Sequence, residues 1–382
     1  MKVPYFKHVV TDKEIKKSIN VLKSGWLSSG NITQEFEKNF ARSINAKHAL
    51  AVNSCTSALH LAVHVLGISD GDKVLLPSLT FASTSEVILY KNAIPKFIDI
   101  DYDTRLISPK LINDELKKDE CIKYLIVVHF AGQSADMKEI RKICKRRNVR
   151  IIEDCAHAFP TRNNGRFIGS DSEAACFSFY ANKTISTGEG GMFVTNSDKI
   201  AERVRTLRLH GINRNVWDRF TSIEPRWEYD IKEIGFKYNL PDLNSCIGLE
   251  QLSRSRIDRI KREKCAKYYF KNLKEVESID LPVVWENNES HSWHLFTIVL
   301  NSKSKINRDV FIEELSKKSI GTSVHYKPLH LMSYYKKNKF NNKYNLYNTE
   351  KYWKGCVSLP IYPTLSKDQL NYICKTIKAI LN

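Results

Sequence analysis

The sequence predicts an α/β fold: a large domain built on a mainly parallel sheet with helices on both faces, followed by a smaller C-terminal α+β domain. Three observations lead to this. Short apolar runs alternate with amphipathic helical stretches over the first two-thirds of the chain, which is the signature of βαβ units. The length, 382 residues, is more than one core ordinarily serves. After about residue 255 the alternation gives way to a different order of strands and helices, so the domains are placed at 1–255 and 256–382.

Taken in order, the first helix opens at Thr11-Asp12-Lys13-Glu14, a capping pattern, and carries Ile15, Ile19 and Leu22 at helical spacing before the stop Ser24-Gly25. Small residues at 25–31 make a loop. Ala49-Leu50-Ala51-Val52 is a strand, and Asn53-Ser54-Cys55-Thr56-Ser57 turns it into a helix over 58–66. That junction suits a bound anion, because unpaired N–H groups and the helix dipole meet there; N-capping by Ser54 or Thr56 is compatible with the same role. Strands at 73–77 and 95–100 flank a helix at 83–90. Further strands at 124–129, 150–153 and 191–195 alternate with helices at 137–147 and 198–207. His129, at a strand end, is either a satisfied histidine of the fold or a contact of an active site.

Residues 213–233 lose periodicity and gather Trp217, Phe220, Trp227 and Tyr229, as a folded surface or an interface does. A helix over 243–262 follows. The C-terminal part has strands at 294–300 and 321–324, helices at 308–318 and 367–381, and a Lys-, Asn- and Tyr-rich surface loop at 336–348. His291 and His294 have a spacing seen in metal sites, but no second ligand pair accompanies them, and the apolar neighbours favour strand packing. No metal is expected.

The formal net charge of +18 invites a nucleic-acid reading. The lysines are dispersed, however, and the densest run, residues 141–147, has Ile140, Ile143 and Cys144 at helical spacing, as the solvated face of an amphipathic helix would. No nucleic-acid partner is therefore expected, although the charge would attract an anionic small molecule. No apolar run reaches bilayer length and the N-terminal stretch is charged, which predicts no membrane partner and a cytoplasmic location. Nine cysteines without paired spacing read as reduced, mostly buried thiols.

The chemistry centres on one stretch, FSFYANKTISTGEGG, an apolar strand running into a glycine-rich loop with a single lysine, Lys183. A lysine amine becomes nucleophilic when its surroundings lower its pKa, and Schiff-base chemistry is its commonest use. A solvated loop lysine is the plain alternative. Upstream, the apolar run Ile151-Ile152-Glu153 ends in Asp154, and a carboxylate at the end of a buried strand needs a partner. The protonated ring nitrogen of pyridoxal phosphate is such a partner, whereas a helix cap is the ordinary use of such an acid. The absence of a G-x-G-x-x-G loop after the first strand argues against a nicotinamide cofactor.

These two strings, with EDCAHAFP around Asp154, resemble the DegT/DnrJ/EryC1/StrS family of pyridoxal-phosphate-dependent nucleotide-sugar aminotransferases. GWLSSG, NSCTSALHLA, LPSLTFAST, VHFAGQSADM, GFKYNLPDLNSCIGLEQL, GTSVHYKPLH and SLPIYPTLS match the family in the right order over nearly the whole chain. The resemblance implies the aminotransferase fold type I, pyridoxal 5′-phosphate as cofactor and Lys183 as the Schiff-base and proton-transfer residue. It implies that Cys55, Thr56, Ser178 and Asn239 serve the phosphate, with Asn239 crossing to the partner's site of a homodimer. Phe81 would cover the pyridine ring, Asp154 would hold its nitrogen, and His157 would approach its phenolic oxygen. Ser29, His325 and Tyr326 would line the sugar-nucleotide site. The Lys-Tyr-Asn form of the loop at 237–239 is typical of members acting at C4 of the sugar, so the implied reaction moves an amino group, from glutamate, to the C4 keto group of a nucleotide-linked 4-keto-6-deoxysugar. A C3 aminotransferase, a sugar dehydratase (whose versions carry histidine in place of the lysine) and a non-catalytic cofactor-binding regulator are the alternatives.

Overall fold

The computed structural model describes residues 1–212, 229–285, 290–338, 340 and 345–381. Seven strands form the central sheet: β1 (His48–Val52), β2 (Lys73–Pro77), β3 (Ile94–Ile98), β4 (Ile122–Val128), β5 (Arg150–Asp154), β8 (Ala174–Ser178) and β9 (Gly191–Thr195). Their spatial order is β1-β9-β8-β5-β4-β2-β3, and of these seven β9 alone runs antiparallel to its neighbours, β1 and β8. Each strand is short and nearly all apolar because helices cover both faces. A two-stranded ribbon, β6 (Arg162–Asn163) and β7 (Arg166–Phe167), interrupts the path between β5 and β8.

Helices α1 (Asp12–Ser24) and α2 (Asn31–Ile44) precede the sheet, and α3 (Cys55–Val65), α4 (Ala82–Leu89), α5 (Pro109–Lys118), α6 (Met137–Arg146) and α7 (Asp198–Leu207) connect its strands. On one face α3 lies buried along almost its whole length against Val74, Ile126, Ile152 and Phe193. On the other, Phe36 and Phe40 of α2 meet Phe159, Phe177 and Phe179 in edge and stacked contacts about 5–6 Å between ring centres. The amphipathic reading of 137–147 corresponds to α6, with Ile140, Ile143 and Cys144 buried.

Helix α8 (Asp242–Leu273) runs unbroken past residue 255. Its first half packs on α1 and α2, and its second half, with Cys265, Tyr269 and Leu273, joins the core of the C-terminal part. That core surrounds the three-stranded sheet β10 (Ile279–Asp280), β11 (Phe296–Leu300) and β12 (Cys356–Leu359), with α9 (Arg308–Lys317) and α12 (Lys367–Leu381) against it. Two short helices, α10 (Ser333–Lys337) and α11 (Tyr347–Gly355), lie between. The surface loop read at 336–348 thus begins within α10 and ends in α11, and residues 339 and 341–344 lie outside the described ones. Among the described residues no helix is long and apolar enough to cross a membrane.

Two expectations need correction. The strand at 321–324 is reduced to one bridge, Ser323 with Ser358, because the chain leaves the sheet edge to enter the site described below. Helix α1 forms where its capping pattern places it, with the stripe Ile15, Ile19 and Leu22 49, 43 and 54% exposed, while Glu14 and Val21 face inward. Glu14 is buried because it accepts hydrogen bonds from the Thr11 N–H (2.6 Å) and from Gln251 of α8. The second concerns His294, which precedes β11 instead of packing within a strand. Of the aromatic stretch, Trp217, Phe220 and Trp227 lie outside the described residues. All nine cysteines are unbonded thiols, and eight are buried.

Candidate active site

The strand ends of a parallel sheet point their last side chains into one crevice, and here β5, β8 and the N-terminus of α3 meet around a cavity of about 470 Å³. Asp154 terminates β5. Because neighbouring residues of a strand face opposite ways, Asp154 enters the cavity while Glu153 is turned into the protein. Lys183 follows β8 after a tight turn in which its N–H bonds to the Tyr180 carbonyl (2.9 Å). Both line the same cavity, as do Cys55, Thr56, Phe81, His157, Ser178, His325 and Tyr326. Asn239 and Ser29 do not. They bond to each other outside it, Asn239 Nδ2 donating to Ser29 Oγ at 2.8 Å, and Asn239 bridges to Val52 at the end of β1.

Lys183 keeps part of its surface toward the cavity but is otherwise enclosed by protein, and this burial pulls its pKa down to about 8; Cys55 and Asp154 act in the opposite sense. Burial likewise raises the pKa of Asp154, against the hydrogen bonds it accepts from Thr84 Oγ1 (2.8 Å) and the Ala156 N–H (3.1 Å) and against the nearby Lys183. A carboxylate held this way gains most from a cationic N–H that donates to it.

Three buried histidines surround the lysine. The Ala131 N–H donates to His157 Nδ1 (3.3 Å), so the neutral ring carries its proton on Nε2 and donates to Tyr326 Oη at 3.0 Å. His325 Nδ1 pairs with Ser358 Oγ at 2.8 Å, and burial brings its pKa to about 3. His294 Nε2 lies 3.5 Å from Lys183 Nζ, with its ring 4.4 Å from that of His157. Burial first, then the Lys183 charge, hold His157 and His294 well below the ordinary histidine range, so all three rings are neutral. Sequence reasoning does not place His294 here. The one signal for it is a histidine just ahead of a buried strand, which is also what a packing residue looks like. His291, its apparent partner in spacing, instead stacks on Trp293 at 3.9 Å.

The first turn of α3 offers N–H groups that have no acceptor within the helix. Ser54 caps it, accepting from the Ser57 N–H at 3.0 Å. Gly191 makes the approach possible: a Cβ on it would lie 2.5 Å from the carbonyl of Ser54, so any side chain would push β9 away from the turn. Ser178, paired with Gly191 between β8 and β9, also lines the cavity. Helix N-terminus, buried lysine and buried strand-end carboxylate therefore match, group for group, the phosphate, aldehyde and ring nitrogen of pyridoxal phosphate.

His129 belongs to the fold. It takes the Ala135 N–H on Nδ1 (3.1 Å) and donates from Nε2 to Glu153 (3.1 Å). Glu153 also accepts from Arg141 (2.8 Å), the Gly169 N–H (3.2 Å) and Ser172. Burial alone would raise its pKa, but the His129 bond and the Arg141 charge outweigh that and bring it to about 2. His129, Glu153 and Cys155 have ligand atoms within 4.8 Å of one another, yet the carboxylate's acceptor positions are already taken by these four donors.

Residues 9–378 match the model of the DegT/DnrJ/EryC1/StrS aminotransferase family. The chain is 38% identical to the spore coat polysaccharide biosynthesis protein SpsC of Bacillus subtilis, over 99% of this chain and 97% of that one. Its structure is similar to that of Helicobacter pylori PseC, an aminotransferase involved in the biosynthesis of pseudoaminic acid, with a TM-score of 0.91 and 26% identity over 100% of this chain and 99% of that one. It is equally similar to the PLP form of Spr1654 from Streptococcus pneumoniae, with a TM-score of 0.91 and 27% identity over 100% and 98% of the two chains.

Proposed function

Because the chain belongs to the DegT/DnrJ/EryC1/StrS aminotransferase family, we propose that it is a pyridoxal-phosphate-dependent sugar aminotransferase that moves an amino group, with L-glutamate as donor, to the C4 keto group of a nucleotide-linked 4-keto-6-deoxysugar. The observation that carries this reading is the meeting of a buried lysine and a buried strand-end aspartate in one cavity, with a helix N-terminus beside them. The relatives' parts in polysaccharide and pseudoaminic acid biosynthesis, and the PLP form of a similar structure, support the sugar and the cofactor. The Lys237-Tyr238-Asn239 loop supports C4 over C3, and the net charge of +18 suits an anionic nucleotide sugar.

Bound in the cavity, the cofactor would supply an aldehyde that links to amines and a protonated ring that draws electrons from the linked carbon. The protein's own groups then divide the remaining work. Asp154 keeps a proton at the ring nitrogen through its carboxylate. Lys183 Nζ, whose pKa burial draws down to about 8, takes a proton from one carbon and returns it to another from its position on the cavity wall. The α3 N-terminus with Thr56 and Ser178 holds the phosphate. Phe81, 59% exposed and lining the cavity, would cover one face of the ring. His157, fixed by Ala131 and Tyr326, would stand beside the ring's phenolic oxygen, while His325 and Tyr326 would meet the sugar.

The proposal includes a homodimer in the cytoplasm, with Asn239 reaching the phosphate of the partner's site; its position outside this chain's cavity is compatible with that role. Two measurements test the whole. Borohydride reduction of the holoenzyme followed by peptide mapping should place the pyridoxyl group on Lys183, and a label on another lysine would overturn the mechanism. Incubation with glutamate and a panel of nucleotide 4-keto- and 3-keto-6-deoxysugars, read by mass spectrometry, should give an aminated product from the 4-keto compounds. Conversion of the 3-keto compounds alone would assign C3, and a cofactor that glutamate leaves in its aldehyde form would identify a binding protein without turnover.

A further inference from the structure

The reactive lysine of the proposed function needs a partner whenever its nitrogen is not linked to the cofactor, since a buried, unpaired amine or ammonium is costly. We infer that His294 is a positioning residue that accepts a hydrogen bond from Lys183 Nζ on its Nε2 atom and so aims the lysine nitrogen into the cavity. The inference rests on the assignment of Lys183 as that reactive amine.

The geometry singles out this imidazole: its Nε2 lies within hydrogen-bond distance of Lys183 Nζ, and the other charged or aromatic groups around the lysine are engaged elsewhere. His157 has both nitrogens engaged, with Ala131 and Tyr326, and His325 is paired with Ser358. Asp154, from β5, is committed to Thr84 and Ala156, and acts on Lys183 through its charge; Cys55, from α3, acts the same way. His294 Nε2 lies 3.5 Å from Nζ, a long bond that suits a nitrogen free to swing between two positions. The backbone on either side of His294 is clamped to one loop of the large sheet: the Ser292 N–H donates to the Gly132 carbonyl and the Leu295 N–H to the Ala131 carbonyl, each at 3.2 Å. Gly132 has to be glycine for this, because a Cβ there would lie 2.0 Å from Ser292 Oγ. The ring itself rests on His157.

The second ring nitrogen of His294 shows that the imidazole is kept for Nε2. Nδ1 is buried and has no hydrogen-bond partner among the described residues, which destabilises the fold relative to an apolar ring of the same shape. With the proton on Nδ1, the Nε2 lone pair faces the lysine, which is the tautomer that an ammonium donor requires.

The test is made on cofactor-free protein, so its outcome does not depend on the proposed reaction. Reductive methylation of Lys183 with labelled formaldehyde, followed across pH by peptide mass spectrometry, reports the pKa of that nitrogen. In His294→Phe, which keeps the ring contact with His157 but removes the acceptor, the midpoint should fall by about one pH unit, the roughly tenfold worth of one hydrogen bond to a charged group. In His294→Gln, whose side-chain oxygen restores an acceptor, it should return to within about 0.3 unit of the wild type. An unchanged midpoint in His294→Phe, or equal shifts in both variants, would overturn the inference. Nitrogen NMR of histidine-labelled wild-type protein provides a check that needs no variant: the His294 signal should show Nδ1 protonated and Nε2 bare, and a protonated Nε2 would refute it. If the borohydride label in the holoenzyme lies elsewhere while these results hold, the proposed function fails and the Lys183–His294 contact stands.

Discussion

At the level of single residues, the site opposes stability to chemistry, and the opposition has a sign. Lys183 is shifted below its ordinary value of 10.5, so the folded state binds its proton less tightly than the unfolded chain does. The penalty is fully present below pH 8 and shrinks as pH rises from about 8 to 10.5. Lys183→Met should therefore stabilise the cofactor-free protein at pH 7, by about 3 kcal/mol from the size of the shift, while abolishing activity. Urea unfolding at pH 7 and pH 9.5 measures this, and a variant no more stable than wild type at pH 7 would show that the lysine is not desolvated. Asp154 has the converse shift, upward, and its charged form is likewise disfavoured in the fold. Asp154→Asn should fold with unchanged or greater stability at pH 7 yet lose at least about 100-fold in turnover, since an unprotonated ring withdraws electrons poorly. Near-normal turnover would refute its assignment.

At the level of elements, the last two residues of β5 show how one strand serves fold and site together. Glu153 faces α6 and gathers His129, Arg141, Gly169 and Ser172 on one carboxylate, which positions the end of the strand and with it Asp154. Its pKa is depressed, so its contribution to stability is complete above about 4.5 and is lost as pH falls toward 2. Glu153→Gln should cost about 3 kcal/mol at pH 7, leaving Arg141 without its buried partner, and the difference from wild type should narrow in acid below pH 4.5. Denaturant titration at pH 7 and pH 4 tests both statements. The contact between β9 and the turn into α3 gives a second expectation. Gly191→Ala should leave the sheet folded but weaken retention of pyridoxal phosphate by about tenfold or more, because the added carbon displaces the Ser54 turn at the proposed phosphate-binding end. Equilibrium dialysis of the cofactor reads this directly, and wild-type retention would show that the turn is not the phosphate site.

For the whole molecule, the question is whether one chain holds a complete site. Asn239 bonds Ser29 and bridges β1, outside the cavity of its own chain. Closed two-fold dimers are the commonest soluble assemblies, and in one of these the loop would face the partner. Mixing a Lys183→Ala chain with an Asn239→Ala chain, each inactive alone, should restore part of the activity once subunits exchange, because one site of each heterodimer has both residues intact. Proven heterodimers without recovery would sink the shared-site reading.

The architecture and the chemical pair at its centre are legible in the chain before it folds. Strand and helix periodicities are local properties, and they locate the strands ending at Pro77, Val128, Asp154 and Ser178 to within a few residues. Asp154 and Lys183 stand out because each sits at the end of an apolar run, where a polar group demands a reason. Packing, by contrast, settles which side chains from distant segments share a bond. His129 and His294 look alike in sequence, a histidine next to a buried strand, yet one is consumed by Glu153 and the other faces Lys183. The outward turn of Ile15, Ile19 and Leu22 is hidden for the same reason: spacing fixes that three residues share a face, but only the burial of Glu14 against Gln251 decides which way that face points. Periodicity is written along the chain, whereas hydrogen-bond partners 24 or 111 residues apart are chosen by packing.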